Sequence, residues 1–318
     1  MTLMQKYDID FPRAHGELIC SGRIKVHAQD FEVIEDLGFE PSGSGEHLYV
    51  KVRKTDANTA WVARQLADFA GIRRNDVGYA GRKDRRAIAT QWFSCWLPGR
   101  QDPDWRSFCA EGVEILATAR HERKLKRGNL SGNAFRILIR GLTQQAQLAQ
   151  KLARRLETIG QCGVPNYFGR QRFGKDCGNL HKADALLGGR IRVRDRQQRG
   201  LYLSAARSYL FNLILSARVK DDTWRQKTAD GRDPSGPLYG SGHEGLPEET
   251  ALLAGMQSWC EGLQRLGLKQ SRRALLMRIV DLHGEFHSPD QLELTCTLDK
   301  GCYATSVLRE IVCWEEFD

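Results

Sequence analysis

Apolar residues alternate with a period of two near both ends of this 318-residue chain and lose that period in the middle. In HLYVKVR the alternating positions are Leu48, Val50 and Val52, in FRILIR they are Phe135, Ile137 and Ile139, and in LELTCTL they are Leu292, Leu294, Cys296 and Leu298. Successive side chains of a strand point to opposite faces, so each run predicts a half-buried strand bounded by Gly or polar turn residues. Strands at both ends around a different kind of middle predict one sheet assembled from distant segments, with the C-terminal strand rejoining the N-terminal ones. The expected fold class is α/β in the α+β sense, in two domains with a cleft between them where ligands often sit.

Helical spacing fills the gaps. In NTAWVARQLADFAG, Val62, Leu66 and Phe69 recur on one face, Asn58 is a cap and Gly71 a stop. A second helix carries Leu148, Leu152, Leu156 and Ile159, with Gly160 as its expected end. From Gly163 the chain turns rich in arginine, glycine and aromatics (GVPNYFGRQRFGKD, then RIRVRDRQQRG) and enters a helix with Leu203, Leu210, Ile214 and Ala217 at helical spacing. From about Asp230 to Pro247 the sequence is too polar and too broken by Gly to predict a core element. Ala304, Val307, Leu308 and Ile311 predict a last helix.

Lys and Arg number 48 against 39 Asp and Glu, a net charge of +9, which favours a polyanionic partner because cations that neutralise phosphates release condensed counterions. MTLMQKYDIDFPRAHG has neither the cationic start nor the apolar run of an export signal, and LYLSAARSYLFNLILSARV is interrupted by Arg207 and Arg218. The expectation is a soluble, cytoplasmic protein with no membrane association and no obligate protein partner. The nine cysteines form no CxxC pair and read as reduced thiols, Cys296 as a small hydrophobe on an apolar strand face. HGEFH spaces His283 and His287 for a metal but lacks the glutamate that directly follows the first histidine in a zincin, and SGSGEH and YGSGHEG lack a nucleotide-binding fingerprint. Neither a metal nor a nucleotide cofactor is expected.

One segment carries the chemistry. In VGYAGRKDRRAIATQWFSCW, Asp84 stands among Arg82, Lys83, Arg85 and Arg86. Flanking cations favour an anion suited to nucleophilic attack or charge stabilisation, although the same pattern also describes a surface ion pair.

YAGRKDRRAIATQWFS resembles the signature around the catalytic aspartate of the TruD family of pseudouridine synthases. The segments RIKVHAQDFEVIEDLGFEPSGSGEH, LKRGNLSGNAFRI, GVPNYFGRQRFG, LSAARSYLFN and GCYATSVLREI resemble that family in the same order, spanning Arg23 to Ile311. The resemblance implies a V-shaped protein with a basic cleft. Its pseudouridine synthase domain, with a mixed and largely antiparallel sheet, would cover 1–158 and 278–318, interrupted by an inserted TRUD domain over 159–277. It further implies isomerisation of a uridine in tRNA, typically uridine-13 of the D-stem, by breaking the N-glycosidic bond, turning the base and rejoining it through C5, without cofactor or metal.

Carried over by position, Asp84 takes the nucleophile's place, Phe31, Asn133 and Tyr303 the places that contact the target uridine, and Lys25 a basic position that holds the aspartate by an ion pair. Taken as residues, Phe31 and Tyr303 offer ring faces to an unstacked base or fill a core, Asn133 matches a uracil edge or a turn after Gly132, and Lys25 alternates outward on its strand or pairs with Asp84. The tracts RHERKLKRG, RQRFGK and RIRVRDRQQR, with the Asp84 loop, make Arg82, Lys83, Arg85, Arg172 and Arg194 candidates for RNA phosphates. Two departures stand out. Tyr303 replaces a common phenylalanine, and the stretch between Arg218 and Arg272 is shorter than in the family. The rival readings are a non-catalytic RNA-binding or tRNA-chaperone protein, and the same chemistry on another RNA uridine.

Overall fold

The computed structural model describes residues 7–242 and 246–316. The chain starts with β1 (Cys20–Ile24), β2 (Phe31–Asp36) and β3 (His47–Thr55), then α1 (Thr59–Ala70), and continues through β4 (Val77–Tyr79), β5 (Ile88–Trp96), β6 (Val113–His121), β7 (Gly132–Arg140) and α2 (Leu148–Cys162). A middle stretch follows with β8 (Val164–Pro165), α3 (Gly178–Leu187), α4 (Arg196–Lys220), β9 (Ser235–Leu238), α5 (Pro247–Leu252), α6 (Gln257–Arg265), β10 (Ser271–Ala274) and β11 (Leu276–Met277). The chain ends with β12 (Val280–Ser288), β13 (Gln291–Asp299), α7 (Ala304–Leu308) and β14 (Val312–Glu316).

Two compact units result. One contains Leu18–Gln161, Ile279–Ala304 and 311–316; the other contains 7–17, Cys162–Arg278 and Thr305–Glu310. Residues 7–17 and 305–310, remote in sequence from the middle stretch, therefore group with it.

The first unit is built on a mixed sheet of order β12-β13-β7-β2-β5-β3-β6, with β1 and β14 paired at one side and β4 on β5. Its pairings are antiparallel except for β2 beside β5 and β1 beside β14, and the last long strand rejoins the first part of the chain as expected, β13 pairing with β7 from Gln291 opposite Arg140 to Asp299 opposite Gly132. Asn58 caps α1 by accepting from the Ala60 N–H at 2.9 Å, and Gly71 ends it at φ 60°. Val62 and Leu66 of α1 are fully buried against Leu48, Val50 and Val52 of β3 and Phe93 of β5, each such side chain worth roughly 1.5–3 kcal/mol of burial. Phe69, expected on that face, is over a third exposed and contacts the rings of Trp105 and Phe108 instead.

In the second unit α4 buries Leu203, Leu210, Phe211, Ile214 and Leu215. The Gly-rich 230–247 region corrects the expectation of no core element. Ser235–Leu238 pairs antiparallel with β10, and a Cβ on Gly236 would lie 2.9 Å from Leu275 and 3.3 Å from Phe211, so the glycine admits close packing against the strand backbone. Part of YGSGHEG, 243–245, and the first six residues of the N-terminal segment lie outside the described residues. The terminal helix is shorter than its apolar spacing, since Ile311 lies beyond Leu308 and Val312 turns extended to pair with β1. No helix among the described residues is long and apolar enough to cross a membrane.

Helix α2 also ends later than Gly160. That glycine is inside the helix, and the left-handed residue is Gly163 at φ 72°, where a Cβ would meet the Met277 carbonyl oxygen at 2.5 Å. Gly163→Ala should cost more than about 1 kcal/mol because alanine resists that φ. Gly160→Ala, with nothing within 4 Å of its Cβ, should gain about 0.5–1 kcal/mol. Urea unfolding of the two variants checks the assignment, and equal shifts would contradict it.

Candidate active site

Asp84 lies on the loop between β4 and β5, and three polar side chains fasten the loop's backbone. The Gly81 carbonyl accepts from Gln91 Nε2 at 3.3 Å, and the Lys83 N–H donates to Thr59 Oγ1 at 3.0 Å. Thr59, at the first position of α1, donates in turn to Gln91 Oε1 at 3.1 Å. The Asp84 carbonyl accepts from Lys54 Nζ at 2.6 Å. Thr59, Gln91 and Lys54 are buried, so the loop is held from the protein side.

The side chains of 83 and 84 go different ways. Lys83 turns inward, its Nζ donating to Glu35 Oε2 and to Asn133 Oδ1, both at 2.7 Å; it is a buried structural cation, which corrects its place among the RNA-phosphate candidates. Asp84 remains 44% exposed, with Oδ2 2.8 Å from Lys25 Nζ. Lys25 does not alternate outward on β1. It follows the strand at φ 55°, is buried, and sets its ammonium 4.7 Å from the centre of the Phe31 ring. A buried ammonium is stabilised by an opposite charge and by a ring face together. The cation that meets the nucleophile candidate thus comes from a distant strand end, while its sequence neighbour Lys83 serves Glu35.

Phe31 is itself buried, edge-on to Phe135 at 6.0 Å between ring centres. Asn133 is half-buried at the start of β7, directly opposite Glu35 on β2. Tyr303 is half-buried and immediately precedes α7. Arg82 and Arg85 are exposed on the Asp84 loop, Arg85 Nε donating to the Asp56 carbonyl at 3.4 Å. In the second unit Arg194 is exposed, while Arg172 donates to Ser204 Oγ at 3.3 Å and lies 5.4 Å from the Phe168 ring centre. The tract beginning at Arg120 is partly structural, because that guanidinium donates to the carbonyls of Gly45, Leu97 and Arg100 and pairs with Asp102. HGEFH lies on β12, where four residues span roughly 13 Å, and His287 is 3.6 Å from Glu293. Cys296 is buried on β13, and burial pushes its thiol up to about 12.

Sequence reasoning missed Lys54, Glu35, Thr59 and Gln91. A signal existed for the first two: Lys54 continues the buried series Leu48, Val50, Val52, and Glu35 continues Phe31 and Val33. A charge in phase with an apolar face is buried and needs a partner. Thr59 and Gln91 carried no such mark, since a polar side chain in a helix's first turn or on a two-sided central strand is ordinary.

Comparison with known proteins bears on this arrangement. A family model described as tRNA pseudouridine synthase D (TruD) matches residues 14–192. Two curated proteins named tRNA pseudouridine synthase D are similar over nearly their whole length. That of Cellvibrio japonicus is 47% identical over 324 residues, covering 98% of this chain and 95% of the relative. That of Methylococcus capsulatus is 45% identical over 342 residues, covering 97% and 95%. A solved structure named for the same family, from Methanosarcina mazei, shares the fold at a TM-score of 0.66 and 19% identity, covering 95% of this chain and 94% of that one.

Lys54 gives the site a measurable pH signature. Burial pulls its pKa down from 10.5 to about 8, with Asp84 opposing the fall, Lys83 adding to it and Asp56 opposing it. The unfolded chain keeps this proton until about 10.5 and the folded chain releases it near 8, so the cost of the buried charge is fully present below 8 and fades as pH rises toward 10.5. The unfolding free energy of the wild type minus that of Lys54→Met should therefore increase between about pH 7 and about pH 9.5, read by urea melts of both proteins. A flat difference would mean that folding leaves the Lys54 proton unperturbed.

Proposed function

We propose that this chain, which belongs to the TruD family, is a tRNA pseudouridine synthase that converts a uridine of tRNA, uridine-13 of the D-stem, to pseudouridine with Asp84 as its nucleophile. The observation that carries the reading is the Lys25–Asp84 pair: a carboxylate at 2.8 Å from a buried ammonium, open on its other side, on a loop pinned through its backbone. An anion held this way is ready to attack without first reorganising, which is what covalent catalysis asks of a weak nucleophile. In the reaction the carboxylate adds to the nucleoside, the N1–C1′ bond breaks, the freed uracil turns in place, C5 bonds to C1′ with release of Asp84, and the proton that C5 gives up to solvent is matched by one taken up at N1. Atoms balance, since the product is an isomer of the substrate. No redox step occurs, so the chemistry calls for no electron-carrying cofactor.

The target base must leave its stack to be reached, and Asn133 and Tyr303 are the groups proposed to receive it. Arg82, Arg85 and Arg194 offer exposed cations to the RNA backbone, which recognition of a folded tRNA by shape requires. Incubation with unmodified tRNA transcripts, followed by mapping of pseudouridine at single-nucleotide resolution, tests activity and target together. Modification at a different uridine would move the proposal to another RNA position, and no modification with intact tRNA binding would favour a binding protein.

Asp84→Asn should abolish turnover while tRNA affinity stays within several-fold, because the amide keeps the shape but not the anion. Multiple turnover by the pure variant would remove Asp84 from the mechanism. For Tyr303 stacking predicts that Tyr303→Phe retains near-normal single-turnover rates and Tyr303→Ala loses about 1–3 kcal/mol. A loss of roughly a hundredfold in the phenylalanine variant would assign the work to the hydroxyl instead.

A further inference from the structure

We infer that Glu35 and Lys83 form a positioning pair that fixes the orientation of the Asn133 amide, and that this orientation selects uracil over cytosine. The inference rests on the proposal that Asn133 faces the target base. Glu35 and Asn133 are directly opposed on β2 and β7, so their side chains share one face of the sheet as close cross-strand neighbours. Lys83 Nζ reaches both, at 2.7 Å from Glu35 Oε2 and 2.7 Å from Asn133 Oδ1. The other carboxylate oxygen of Glu35 accepts from the Trp92 N–H of β5 at 3.1 Å, so the carboxylate cannot swing away without leaving a strand N–H unpaired. Three strands therefore hold one ammonium in place.

An ammonium only donates hydrogen bonds, so the group it touches on Asn133 must be the carbonyl oxygen, and the amide cannot turn over without bringing two donors face to face. The amide's NH2 is thereby committed outward. Among the described residues it donates to nothing, and Asn133 is only half-buried. A fixed outward donor fits O4 of uracil, an acceptor. Cytosine carries an amino donor at the same position, and the two donors would clash. A freely rotating asparagine would offer its oxygen to cytosine equally well, so selection comes from the pair behind the amide.

The test separates this role from mere support of the fold. Removing one member of the pair leaves a buried charge, so both test proteins neutralise it: Glu35→Gln with Lys83→Met removes the donor at position 83 that reaches Asn133 Oδ1, whereas Glu35→Gln with Lys83→Gln restores a neutral one there. Each is made in the full chain with Asp84→Asn to block turnover. Affinity is measured for a tRNA transcript carrying uridine at the modified position and for the same transcript carrying cytidine there. The parent should prefer uridine by about tenfold or more, the Gln–Gln protein should keep most of that preference, and the Gln–Met protein should lose it. Equal preference in the two double variants would overturn the inference, as would retention of the uridine preference by Asn133→Asp, whose carboxylate cannot donate. If the protein with native Asp84 modifies no tRNA uridine, the functional proposal fails first. If it does so and the double variants do not differ, only the role of the pair fails.

Discussion

The Glu35–Lys83 ion pair is the interaction on which the arrangement around Asp84 depends. Both side chains are almost fully removed from water, so the pair gains little net stability over an apolar one, yet losing either partner would strand a charge at a cost of roughly 3–5 kcal/mol. Lys83 is thereby committed inward, and with its N–H taken by Thr59 the chain has one way to continue. Asp84 comes out toward Lys25 with its carbonyl on Lys54. An electrostatic requirement in the sheet thus becomes the direction of the Asp84 side chain one residue away.

The lysines around this loop have separate tasks, each drawn in by a different acceptor. Lys25 meets the Asp84 carboxylate, Lys54 its backbone, and Lys83 the carboxylate and amide of the two adjoining strands. Several arginines of this basic chain are likewise occupied internally. Arg207 donates to the carbonyls of Leu238 and Lys269, Arg272 pairs with the buried Glu249, and Arg120 gathers three loop carbonyls. Net charge therefore overstates the cationic surface open to RNA. Arg82, Arg85 and Arg194 are among the cations that remain exposed.

The sheet that presents these groups needs both ends of the chain. β13 lies along β7 so closely that a Cβ on Gly132 would be 2.5 Å from the Leu298 carbonyl, and the next residue, Asn133, is held between Leu298 on one side and Glu35 on the other. Gly132 reads in sequence as a turn residue; in the sheet it is the point of closest backbone approach. The asparagine's position is in this way tied to a strand contributed by the last thirty or so residues of the chain.

By itself the sequence determined the strands with a one-sided period (β3, β7 and β13), the limits of α1 through Asn58 and Gly71, and the loop bearing Asp84, because each depends on neighbours a few residues apart. It misplaced what depends on remote neighbours. Gly160 looked like a helix end until Gly163 proved to be the residue with the left-handed backbone, and Ser235–Leu238 looked like loop because its partner strand and Phe211 are distant in sequence. Local sequence left open which cation serves Asp84; the family resemblance pointed to Lys25, and the fold sets its Nζ 2.8 Å from the carboxylate. Sequence surrounds it with Arg82, Lys83, Arg85 and Arg86, but burial of Glu35 claims Lys83 and the turn after β1 delivers Lys25. Local sequence fixes which charges are available, and their pairing follows from which of them the packed sheet removes from water.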